Sequence, residues 1–210
     1  MRRKLLLGIL VVCLFLAAGC GKVPEGEAHY SELDRYLVEK VKENYEDGTV
    51  EDENIAVAQI YSGHFSNGDT EEIFAVCKIL NLPHTAGLDK TVTLLLKKDS
   101  LEQVAYEEFN ADDVEISFFQ TSAGQSKVLT IGTTTFQGVS SQEIRFLEIR
   151  DGRWQDVEIE ALEDLQDSYC FAIEDRAILV SAVSDIIGPE DIIAVLSWNP
   201  DTGQFLFCPD

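Results

Sequence analysis

Positive charge is what this sequence has least of. Lys and Arg number 16 against 38 Asp and Glu in 210 residues, for a net charge of −22. Phosphate contacts need clustered Lys and Arg, so nucleic acid is excluded as a partner. Docking directly on anionic lipid headgroups is disfavoured for the same reason. Histidine is scarce too, with only His29, His64 and His84. Their spacing matches neither a zinc site nor a Cys–His nucleophile. No Gly-rich phosphate loop and no nucleophile elbow occurs. Long apolar runs are also missing. The longest, Leu5–Ala18, has 14 residues, short of the roughly 20 that span a bilayer as a helix.

That short run sits in an informative context. Arg2, Arg3 and Lys4 form a basic head before it, and Leu16-Ala17-Ala18-Gly19-Cys20 closes it. This is the layout of a processed signal segment rather than of an anchor helix. The closing residues resemble the lipobox of bacterial lipoproteins, with Ala17 where that family more often has Leu. The resemblance implies a signal peptide over residues 1–19, a diacylglycerol on the Cys20 sulfur and cleavage just before it. It implies palmitate-type acylation and a lipid anchor on the extracytoplasmic face of a bacterial cell membrane. Gly21 is not the Asp-type inner-membrane retention signal, so in a diderm host the expected address is the outer membrane. Residues 20–29 then form the lipidated cysteine and a tether. Nine extended residues reach at most roughly 30 Å, which keeps the folded domain near the membrane. Removing residues 1–19 leaves 13 basic against 38 acidic residues, a net of −25.

Five cysteines reduce to three once Cys13 leaves with the signal and Cys20 is acylated. An odd number gives no complete disulfide framework. Cys77, Cys170 and Cys208 read as buried thiols, with a Cys170–Cys208 pairing as the alternative.

Residues 30–210 read as a single β-rich domain. Ser31 to about Glu46 is an amphipathic helix, with Leu33, Tyr36, Leu37 and Val41 on one stripe. From Asn54 the hydrophobic period becomes two. Twelve short strands fall into three sets, over about 54–110, 113–159 and 168–208. The last two sets end in hairpins at Arg150-Asp151-Gly152-Arg153 and Asn199-Pro200-Asp201-Thr202-Gly203, whose turn chemistry is strong. Corresponding second strands begin near Ile73, Val128 and Ile178. A period of this size with four strands each predicts three four-stranded antiparallel units that stack in an open, propeller-like array. A β-sandwich or barrel is the alternative. Trp154 and Trp198 follow in comparable hairpin positions and are expected to pack neighbouring units together, or else to offer an aromatic platform to a glycan or peptide.

One loop carries a second resemblance. Gly63-His64-Phe65-Ser66-Asn67-Gly68-Asp69-Thr70-Glu71-Glu72, leading into Ile73-Phe74-Ala75-Val76, is similar to the loop of FG-GAP/VCBS-like β-propeller repeats. That family often holds calcium there. His64 replaces its first Asp, Ser66 stands near its Asn, and the loop is one residue longer. The resemblance implies either a metal-free turn that keeps the geometry, or a calcium site with Asn67, Asp69 and Glu72 as ligands. Adjacent carboxylates such as Glu107-Glu108, Asp112-Asp113 and Glu190-Asp191 are too common in this acidic chain to mark catalysis. The expected function is a membrane-anchored, non-enzymatic binding or scaffolding module that meets an envelope protein, peptide or glycan. The alternative is an envelope hydrolase or its accessory, with His64 or His84 meeting carboxylates in a cleft.

Overall fold

Alternating runs of β-branched and aromatic residues punctuated by turn residues leave this chain few options other than antiparallel meanders. The computed structural model describes residues 31–45, 50–80, 89–137, 139–162, 169–182 and 192–208. The signal segment, Cys20, the tether, His29, His84 and Glu190-Asp191 lie outside the described residues.

Helix α1 spans Glu32–Asn44, and Tyr45 N–H still bonds the Val41 carbonyl at 2.9 Å. Strands β1 (Ile55–Gly63), β2 (Glu72–Ile79), β3 (Lys90–Lys97) and β4 (Gln103–Phe109) form sheet A. Strands β5 (Asp113–Gln120), β6 (Ser126–Phe136), β7 (Val139–Arg150) and β8 (Arg153–Asp156) form sheet B. Strands β9 (Tyr169–Glu174), β10 (Ala177–Ala182), β11 (Ile192–Asn199) and β12 (Gln204–Phe207) form sheet C. Each sheet is an antiparallel meander in chain order, and none closes into a barrel. The three expected units are therefore present.

The turns explain the meanders. Asp151 (φ 52°) and Gly152 (φ 72°) give the two left-handed residues of a tight β7–β8 hairpin. In the β11–β12 turn, Asn199 Oδ1 accepts the N–H groups of Asp201 and Thr202, and Gly203 takes φ 65°. One hairpin is longer than its sequence suggests. Thr133-Thr134-Thr135 and Ser140-Ser141-Gln142 extend β6 and β7 well past their apolar cores. They are polar, yet the β-branched threonines suit a strand.

Three apolar layers hold the stack. Leu37, Val38 and Val41 of α1 pack on the outer face of sheet A, against Ile55, Ile73, Val92, Leu94 and Leu96. Sheets A and B meet through Phe74, Val76, Leu95, Val128, Leu147 and Ile149. Sheets B and C meet through Leu129, Phe146, Ile178, Val180, Leu196 and Phe205. The A–B and B–C layers also contain edge-to-face aromatic pairs, for example Phe74 with Phe118 and Phe146 with Phe205. Trp154 packs edge-on to Phe74 between A and B. Trp198 lies between B and C and donates its indole N–H to the Gln120 carbonyl at 2.9 Å. Both tryptophans thus join neighbouring units.

Candidate functional site

The loop from Gly63 to Glu72 is organised from within. Glu72, the first residue of β2, is fully buried (0% exposed). Its Oε2 accepts the N–H groups of Phe65 (2.7 Å) and Ser66 (2.8 Å), and its Oε1 accepts the Ser66 hydroxyl. Asn67 Oδ1 accepts the N–H groups of Asp69 (2.9 Å) and Thr70 (2.7 Å). His64 Nδ1 lies 3.0 Å from the Thr70 carbonyl oxygen. That oxygen can only accept, so Nδ1 carries the proton. Of the three calcium candidates, Glu72 and Asn67 thus turn their oxygens to N–H and O–H groups of the loop itself, and Asp69 is exposed. Among the described residues, no three His, Cys, Asp or Glu side chains are placed to share a metal ion.

This loop is one of three turns that interlock along a rim of the stack. The His64 carbonyl accepts from Ser126 N–H at 2.6 Å, and the Phe65 carbonyl from Gln125 Nε2 at 3.0 Å. One sheet further on, Ser122 N–H donates to the Pro200 carbonyl at 2.9 Å, and the Ser122 hydroxyl donates to Asp201. Beneath it, Lys127 lies 3.3 Å from Glu148 and donates to the Gly203 carbonyl at 3.2 Å. A buried ion pair at the B–C layer thus anchors the last turn.

A polar cleft of about 290 Å³ opens between β4 and the β6–β7 pair. Arg145 is its centre. Its Nη1 donates to Glu107 on sheet A (2.8 Å). Its Nε and Nη2 grip both oxygens of Asp156 on β8 (2.9 and 3.1 Å), the bidentate geometry that suits a guanidinium. The guanidinium also lies 5.9 Å from the Phe109 ring centre. The bonds to Asp156 and then to Glu107 push the already high Arg145 pKa higher, against desolvation. Beside it, Glu108 accepts the Tyr106 hydroxyl at 2.8 Å and pairs with Lys90. Burial, followed by that hydrogen bond, pushes the Tyr106 phenol up. Glu107, Glu108 and Arg145 are therefore committed to ion pairs, while Glu143, which also lines the cleft, is exposed. An apolar groove of about 410 Å³ lies on the other side of Arg145, lined by Ile144, Phe146, Val157, Ile159 and Leu162.

Adjacent carboxylates separate because successive strand residues face opposite ways. Glu107 meets Arg145 while Glu108 meets Lys90. Asp112 accepts Thr135 N–H at 2.6 Å while Asp113 pairs with Lys78 at 3.2 Å. No motif in the sequence marks Arg145. The signal was its rarity: in so acidic a chain, each cation has several carboxylates competing for it.

Cys77, Cys170 and Cys208 form no disulfide. Cys170 lies on β9 and Cys208 just past β12, the two opposite edges of sheet C. Three strand spacings of about 4.8 Å separate such edges, beyond the roughly 7 Å limit for Cα atoms of a bridge. Cys77 is buried as expected. Cys208 is exposed instead, at the open edge of sheet C where Leu206 and Phe207 are exposed too.

No family model, curated protein or solved structure matches this chain.

Proposed function

We propose that the chain is a bacterial lipoprotein, anchored through a diacylglyceryl group on Cys20 at the extracytoplasmic face of the cell membrane, or of the outer membrane in a diderm host. Residues 30–210 act there as a non-enzymatic binding or scaffolding module. The lipobox-like sequence supports the anchor, and among the described residues no helix is long and apolar enough to cross a membrane. The observation that carries the binding reading is the use made of polar groups. The buried Glu72, Arg145 with its two carboxylates and the Lys127–Glu148 pair are all committed to joining loops and sheets. What the stack offers a partner is therefore its outer surface, strongly acidic, for an envelope protein, peptide or glycan. Neutral and acidic partners gain nothing from that charge, so basic proteins and peptides fit best.

Two measurements test this. Labelled palmitate should enter the wild-type chain in cells and be lost in Cys20→Ser; label retained in the variant rejects the anchor. In-cell cross-linking should recover a defined basic envelope protein whose capture weakens with salt. Recovery of the same proteins by an unrelated acidic lipoprotein rejects the binding reading.

A further inference from the structure

The layer between sheets A and B changes character along its strands. At one end Phe74, Leu95, Val128 and Leu147 fill it. On the same strand faces, two and four residues further on, stand Thr93 and Thr91 of β3, Thr130 and Gly132 of β6, and Arg145 and Glu143 of β7. Thr91, Thr93 and Thr130 are each 1% exposed. The Thr91 and Thr93 hydroxyls have no hydrogen-bond partner among the described residues. The Thr130 hydroxyl reaches only the Arg145 carbonyl, at 3.5 Å. Valine has the same shape, and replacing an orphaned hydroxyl by an apolar isostere is neutral or stabilising. Proteins break such packing rules chiefly at functional sites.

These hydroxyls adjoin the polar cleft beside Arg145. Thr93 is in register with Glu107 and Thr91 with Phe109, and residues paired across two strands project to the same face. Glu107, Phe109, Thr130, Gly132 and Glu143 line the cleft. Gly132 leaves room there, since a Cβ on it would stand 3.1 Å from Ala111 Cβ. The charges do not balance. Glu107 and Asp156 share Arg145, and exposed Glu143 adds a third carboxylate with no ion pair among the described residues. We propose that this cleft binds a primary ammonium group, the head of a lysine side chain or of a free alkylamine. An ammonium is compact, with three donors and no acceptor. It would take the Glu143 carboxylate, the Glu107 oxygen that Arg145 leaves over and the Thr93 hydroxyl. A guanidinium needs a planar slot, and Arg145 already lies over the Phe109 ring. A neutral sugar leaves the negative charge uncompensated, and an anion is repelled. The proposal deepens the reading of a basic partner and is independent of Cys20.

Titration calorimetry on the full chain in a non-ionic detergent tests it, with butylammonium as the probe. Tetramethylammonium, at equal ionic strength, has the same charge but no N–H donor. Butylammonium should saturate one site with a dissociation constant of about 1 mM, and tetramethylammonium should bind at least about tenfold more weakly. Glu143→Gln should weaken butylammonium about tenfold; Glu143 is exposed, so this variant keeps the fold. Glu174→Gln, on exposed sheet C surface, should change nothing. Thr93→Val should weaken binding while leaving the melting temperature equal or higher. A capped Gly-Lys-Gly peptide that binds more tightly than butylammonium assigns the site to a protein's lysine; one that binds more weakly assigns it to a free amine. Equal binding of the two cations overturns the proposal, because the site would then be general acidity. So does unchanged affinity in Glu143→Gln or in Thr93→Val. The wider reading of a basic partner would survive that failure, since in-cell cross-linking decides it separately.

Discussion

Gly68 lies directly against Ala123: a Cβ built on Gly68 would stand 2.6 Å from the Ala123 carbonyl oxygen. Here the β1–β2 loop of sheet A touches the β5–β6 turn of sheet B, and only a residue without a side chain allows it. Backbone cannot yield as a flexible side chain does. Gly68→Ala should therefore cost about 1–3 kcal/mol, the usual penalty of overpacking. Urea unfolding monitored by tryptophan fluorescence would read it, because Trp154 packs in the same A–B layer. An unchanged midpoint would show that the two turns separate freely.

Glu72 should matter more to stability than to metal binding. Glu72→Ala leaves the Phe65 and Ser66 amides without their acceptor, at about 2–4 kcal/mol for orphaned polar groups. Excess calcium, compared with chelator, should leave the wild-type melting temperature unchanged, because a ligand role would require Glu72 to release those amides. A rise of several degrees with calcium would instead place a metal in this loop.

Arg145 bridges sheets A and B through Glu107 and also holds β8 through Asp156. Arg145→Lys keeps the charge but loses the two-pronged grip, and Arg145→Ala leaves Glu107 and Asp156 without their shared cation. We expect about 1 kcal/mol for Lys and about 2–3 kcal/mol for Ala. A double-mutant cycle with Asp156→Ala should return a clear coupling energy; additive effects would mean that the contact contributes nothing.

The Cys77 thiol is pushed up to about 12, chiefly by burial. A folded pKa above the unfolded one stabilises the fold fully below the unfolded value near 8.5. That contribution is lost as pH rises from there towards the folded value. Between about pH 9 and 11 wild type should therefore lose stability faster than Cys77→Ala does. At pH 8 a thiol reagent should modify exposed Cys208 quickly and Cys77 only as fast as the chain unfolds. Rapid modification of both in the native state would contradict the burial.

Much of the fold is legible in the chain because its signals are local. Asp151-Gly152 dictates a hairpin, Asn199 to Gly203 dictates another, and period-two runs mark the strands between them. The β6–β7 extension escaped because Thr133-Thr134-Thr135 looks polar until a cross-strand partner pairs with it. The loop at 63–72 was recognisable as a special turn. Its oxygens' targets were not, since Glu72 reaches back seven residues to Phe65 and the loop then leans on a turn some sixty residues further along.

By itself the sequence determined the number of units, the strand order within each, the amphipathic helix and the scarcity of cations. These follow from residue spacing and composition, which need no knowledge of what touches what. Only the tertiary structure decided that α1 caps sheet A and that Arg145 takes Glu107 and Asp156. Contacts between sheets join residues far apart in the chain, and side-chain geometry in three dimensions, not order along it, selects among the many carboxylates present.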